Sequence, residues 1–170
     1  MALSRGEVNR ALRAFTVAGG LWGAWGQMLG IGTVVFTGFV LSIGGEASDI
    51  AFFTSIAYIV APIQLIASLG SRWIRNKKRW VAFNGLFEAL FRGILIAIPF
   101  LFVPALHLKV LSICLALGLI AGYLYTPFYS GWLADTVPST IRARFTSRQT
   151  IVSQVCGVVA GISAGWFVDY

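Results

Sequence analysis

The run WVAFNGLFEALFRGILIAIPFLFV, residues 80–103, decides how this chain is read. It stays apolar for the length that a helix needs to cross a hydrocarbon core, about 20 residues. The apolar positions are continuous rather than alternating, and they run far beyond the length of a barrel strand. Two charges lie inside it, Glu88 and Arg92. At 1.5 Å per residue Glu88 falls about 12 Å from the basic end and Arg92 about 18 Å. A spacing of four places both on one helix face. An isolated charge at such depth is costly, so the two are expected to pair. The pair reads either as a proton-coupling or substrate-contacting group, or as a self-neutralising tether between helices.

Four further apolar runs flank this one. Together the five cover about 15–41, 50–69, 80–103, 110–133 and 151–168. Composition agrees: 58% of residues are hydrophobic and 11% charged, against about 25% charged in a soluble domain. Mean hydropathy is +0.82. The 14% aromatic content and 19 glycines also suit membrane helices. The expected fold is all-α: a polytopic transmembrane bundle of about five spans forming a single domain.

The formal charge of +7 raises nucleic acid as a partner. The basic residues sit in short linkers between apolar runs and form no patch or stripe, so that reading is set aside. Their placement gives an orientation instead. Arg5, Arg10 and Arg13 precede the first run. Arg72, Arg75, Lys77, Lys78 and Arg79 separate the second from the third, and Arg142, Arg144 and Arg148 separate the fourth from the fifth. The first linker carries Glu46 and Asp49, and the third a single base, Lys109. Basic residues at span ends mark the cytoplasmic side. The N-terminus is therefore expected inside, in a multi-pass protein of the cell membrane (plasma or inner). The apolar run after the N-terminal arginines is too long for a cleaved signal. Five crossings place Asp169-Tyr170 outside with no tail, and the chain is read as a piece of a longer protein.

Glycines recur every fourth residue: Gly19 with Gly23, Gly26 with Gly30, Gly118 with Gly122, and Gly157 with Gly161 and Gly165. Such stripes let helix backbones approach closely. Gly30-Ile31-Gly32 has no strand before it and is not a dinucleotide loop. Gln27, Gln64, Asn84, Tyr123 and Tyr125 are polar groups within runs, able to bond either a solute or another helix. Pro62, Pro99 and Pro127 are expected to kink their helices. His107 reads as a solvated residue of the outer linker. Cys114 and Cys156 have no Cys or His neighbour at metal-ligand spacing. No metal, cofactor or catalytic motif is found, so an enzyme is not expected.

Two linkers carry a resemblance. One is Leu69-Gly70-Ser71-Arg72, followed by Arg75, Lys77 and Lys78. The other runs from Trp132 through Asp135, Pro138, Arg142 and Arg144 to Arg148. The first resembles the loop between helices two and three of the major facilitator superfamily, with Ser71 in place of an acid and the internal glycine missing. The second resembles a pattern of bacterial members, with Ala143 in place of a glycine. With five spans and an inside N-terminus, the chain resembles the N-terminal half of such a transporter, one helix short of six. The resemblance implies secondary transport of a small solute by alternating access. A proton or another ion would be the coupling partner, and a second half would lie elsewhere. It also implies a cytoplasmic gate at Asp135, Pro138, Arg142, Arg144 and Arg148, beside a basic loop of Arg72, Arg75, Lys77 and Lys78. Gln27, Tyr123, Arg92 and Glu88 are the cavity candidates. The alternative is a non-transporting membrane subunit or scaffold that assembles through its glycine-striped helices.

Overall fold

The structure is a computed structural model of the 170-residue chain. It describes residues 5–168 except 72 and 75, without the side chains of 5, 7, 167 and 168. Arg72 and Arg75 of the expected basic loop, the Arg5 side chain and the Asp169-Tyr170 terminus lie outside the described residues.

Seven α-helices follow one another among the described residues, with no strand: α1 (Arg5–Leu29), α2 (Val34–Ser42), α3 (Ala47–Val60), α4 (Ile63–Gly70), α5 (Lys77–Leu101), α6 (His107–Thr136) and α7 (Ser139–Val168). A 3-10 turn, Pro104–Leu106, leads into α6. The all-α expectation holds. Three stretches are long and apolar enough to cross a membrane, namely Ala47–Gly70, Lys77–Leu101 and Pro104–Thr136. A fourth results if Val8–Leu29 and Val34–Ser42, bent by 41°, are taken as one broken span.

Large apolar side chains lie bare on these helices. Val34, Ile59, Phe100 and Trp166 are each at least 74% exposed. Water would penalise such a surface heavily, whereas lipid would not. Hydroxyl groups turn inward on their own helices. Thr54 donates to Ile50 O (2.9 Å), Ser112 to Leu108 O (2.7 Å) and Ser163 to Val159 O (2.8 Å). In hydrocarbon, a polar group with no such local partner would have none at all.

The first expected span is not continuous. The backbone breaks between Leu29 and Val34, where Gly32 adopts φ +83°. A left-handed residue cannot continue a right-handed helix, and glycine adopts that conformation without strain. Thr33 then restarts the chain: its hydroxyl donates to Gly30 O (2.8 Å) and accepts the Phe36 N–H (3.2 Å). The second span is also divided, at Ala61-Pro62, since proline supplies no N–H to the helix ladder. Pro99 and Pro127 lie inside α5 and α6 without ending them.

Three linker expectations are corrected. α6 runs on to Thr136 and α7 starts at Ser139, so the fourth linker shrinks to Val137-Pro138. Arg142, Arg144 and Arg148 are helical residues of α7, not loop residues. Lys77 and Lys78 likewise form the first turn of α5, which Asn76 caps by accepting the Arg79 N–H (3.2 Å). His107 is not solvated. It is 7% exposed at the start of α6, with Nε2 2.9 Å from Phe102 O. Burying a ring nitrogen is acceptable when a carbonyl receives its proton, and the extended Phe102 offers one.

The chain divides into two compact units. One comprises residues 1–36 and 133–170, and the other residues 37–132. In the first, α1 packs against α7. Phe15 is buried there, with its ring edge-on to Phe145 at 6.5 Å. In the second, Val40, Phe53, Leu95, Ile98, Leu111 and Phe128 are buried. Its α2 ends in a Schellman turn. Gly44 lies at φ +88°, its N–H reaches Leu41 O (3.1 Å), and the Gly45 N–H reaches Val40 O (2.9 Å). Asp49 then accepts the Glu46 N–H (2.8 Å) at the start of α3. The acid of the first linker thereby joins a helix N-terminus, where its charge is favourable.

Candidate functional site

The site builds up along α5. Trp80, Asn84, Glu88 and Arg92 recur every fourth residue and so form one face. Trp80 Nε1 donates to Leu124 O of α6 (3.2 Å), and its ring lies 5.5 Å from that of Phe128. Asn84 Nδ2 donates back to Trp80 O (3.0 Å). One turn deeper, Arg92 Nη2 reaches Glu88 Oε1 at 2.7 Å. The expected pairing of these two charges is therefore present. The carboxylate side chain is 2% exposed and the guanidinium 13%.

Glycine makes room for the pair. A Cβ at Gly122 of α6 would stand 3.0–3.1 Å from three carboxyl atoms of Glu88. A Cβ at Gly118, one turn earlier, would sit 3.5 Å from Phe91 Cβ and 3.7 Å from Arg92 Cγ. The Gly118–Gly122 stripe is the notch in which the charge pair lies. Tyr125 of α6 is close enough to interact with Glu88 and Arg92. Glu88 Oε2 nevertheless has no hydrogen-bond partner among the described residues.

Three of the four cavity candidates lie in the second unit, and they do not all converge. Glu88 and Arg92 are joined. Tyr123 points elsewhere, its hydroxyl donating to Ala57 O of α3 at 3.4 Å. Gln27 belongs to the other unit and packs its Cγ 2.8 Å from where a Gly157 Cβ would be. It serves the α1–α7 seam. Tyr125 and the Gly118–Gly122 spacing stand out in the sequence, but their junction with Glu88 does not. The signal was there in principle: a carboxylate inside a span needs a small residue opposite it if a neighbouring helix is to come close.

The proposed gate residues are ordered by backbone contacts. Arg142 Nη2 donates to Ala134 O (2.6 Å) and Val137 O (3.0 Å), and Nε also donates to Val137 O (3.2 Å). The guanidinium thus satisfies carbonyls left over at the C-terminus of α6. Pro138 occupies the turn, and Asp135, Arg144 and Arg148 are exposed. Lys77 lies over Gly131, its Nζ 3.4 Å from where a Cβ would be, while Lys78 is exposed.

No known protein family, no curated protein and no solved structure matches this chain.

Proposed function

We propose that the chain is part of a membrane transporter that moves a small solute by alternating access, in the manner of the N-terminal half of a major facilitator. The observation that carries this reading is the buried Glu88–Arg92 pair inside a membrane-length helix. Ionisable groups within spans are expensive and tend to mark solute or proton pathways. The basic stretches around Lys77 and Arg144, with the Asp135–Pro138–Arg142 pattern, support the same reading by resemblance. In it the N-terminus is cytoplasmic, α7 supplies a fifth span, a second half completes the carrier, and the solute leaves chemically unchanged.

Reconstitution of the complete gene product in lipid vesicles, with a panel of labelled sugars, amino acids, organic acids and cations, tests it. Uptake of at least one class is expected, and Glu88→Gln reduces it severalfold at equal folded yield. Folded protein that carries nothing, or flux indifferent to Glu88, contradicts the reading.

One observation favours a second reading, a non-transporting subunit. A Cβ added at Gly26, Gly161 or Gly165 would meet nothing within 4 Å. Those glycines leave helix faces open to another helix. Stable co-purification with an unrelated membrane chain, without flux, would favour it.

A further inference from the structure

We propose that the N-terminal ends of α1 and α7 together form a binding site for an anionic phospholipid. Its phosphate is held among Arg10, Arg13, Arg144 and Arg148, and its acyl chains lie along the apolar residues that follow them. The two helices belong to one compact unit and run parallel in a fixed register. Phe15 meets Phe145, Gln149 lies against Gly19, Ser153 against Gly23 and Gln27 against Gly157, with the same offset at every contact. On that register Arg10 and Arg13 stand level with residues 140 and 143. With Arg144 and Arg148 they fall within about 12 Å along the helix axes. Residues distant in the chain are thereby gathered at one end of the pair.

All four arginines are exposed. Arg142, at the same end, is set aside because it is spent on the carbonyls of Ala134 and Val137. The hydroxyls nearby also turn inward: Thr146 donates to Arg142 O, Ser147 to Ala143 O and Thr150 to Thr146 O. The outward donors are therefore guanidinium groups, whose planar fork matches phosphate oxygens. Residues 5–13 and 133–148 carry six arginines against two acids, Glu7 and Asp135. Both helices also point their positive dipole ends this way. What selects a lipid over other anions is the surface next to the charges. Val17 and Leu21 follow Arg13 in steps of four, 62% and 68% exposed, and Ile151 and Val155 follow Arg148, 61% and 56% exposed. Each arginine heads a bare apolar stripe on its own helix. Inorganic phosphate, nucleic acid or an acidic peptide would leave those stripes unused, whereas an anionic phospholipid satisfies charge and stripe at once. The inference rests on the membrane placement of α1 and α7 in the reading above, not on transport.

Native mass spectrometry of the full chain released from micelles, titrated with phosphatidylglycerol or phosphatidylcholine, tests it. Phosphatidylglycerol is expected to bind the more tightly. Arg13→Gln combined with Arg148→Gln is expected to cut that preference about 25-fold, at about fivefold for each arginine near a charged headgroup. Arg10→Gln combined with Arg144→Gln should act in the same direction, and decides should the first pair fail to fold. Lys109→Gln, which removes one exposed charge from the other unit, should leave the preference unchanged. Inorganic phosphate should not displace the bound lipid. Equal affinity for the two lipids, a loss in Lys109→Gln as large as in the arginine pairs, or displacement by inorganic phosphate overturns the proposal. Lipid preference without solute flux contradicts only the transporter reading, and flux without lipid preference contradicts only this one. A chain that stays dissolved without detergent contradicts the membrane placement on which both depend.

Discussion

The two units use the same device, glycine on one helix facing another helix, for opposite contents. In the α1–α7 seam, glycine meets backbone: a Cβ at Gly23 would collide with the Ser153 carbonyl, and a Cβ at Gly157 would stand 3.0 Å from Gly23 O. Gln149 crosses the same seam, donating from Nε2 to Phe15 O (2.8 Å), with its Cγ 2.7 Å from the Cβ position of Gly19. In the α5–α6 seam, glycine meets a charged side chain, the Glu88 carboxyl at Gly122. A seam of backbone on backbone is stiff, since helix main chains cannot rotate out of the way. A seam built on a carboxyl can change its charge and its partner without moving a helix. Close packing makes the first structural and leaves the second available for function.

Substitutions can break this contrast. Gly23→Ala is expected to act most strongly, because its new methyl meets a backbone carbonyl that cannot swing aside; a loss of about 3 kcal/mol, at the upper end for overpacking, would be measured by denaturant unfolding in micelles. Gly122→Ala meets the end of a side chain instead, so about 1.5 kcal/mol is expected in the same assay, in the middle of the overpacking range. If the two costs are equal, the distinction between the seams fails. Trp80→Phe keeps the ring against Phe128 but removes the Nε1 bond to Leu124 O, a change of about 1 kcal/mol that unfolding or a shift in tryptophan fluorescence would report. Gly161→Ala touches nothing within 4 Å and should stay within about 0.5 kcal/mol of wild type. A large loss there would mean that the open face of α7 is covered by a partner.

Much of this was legible in the residues, and the rest was hidden for physical reasons. Glu88 and Arg92 announced their pairing by spacing alone, because the helix repeat fixes which side chains can meet. The glycine repeats announced close approach but not what would be approached. Hydropathy sums over a window and is blind to φ, so the break at Gly32 was invisible within an apolar run. Arg142, Arg144 and Arg148 look like loop residues because charge implies water, yet a helix can carry its charged turns beyond the hydrocarbon and remain a helix. The residues from Asp135 to Arg148 do not disclose the length of the turn between α6 and α7. The turn proved to be two residues long, which brings the guanidinium over the carbonyls of Ala134 and Val137. His107 looks solvated by its polarity, whereas it is buried with Nε2 on Phe102 O and Nδ1 without a partner among the described residues.

The most direct measurement is a double-mutant cycle on Glu88 and Arg92, with Glu88→Leu, Arg92→Leu and both together, read as unfolding free energy in lipid-like micelles. A buried pair predicts that Arg92→Leu alone costs about 3 kcal/mol by leaving the carboxylate uncompensated, and that the double variant recovers most of that loss. Two small, additive losses would show that the charges are neither sealed nor mutually dependent, and would contradict the account.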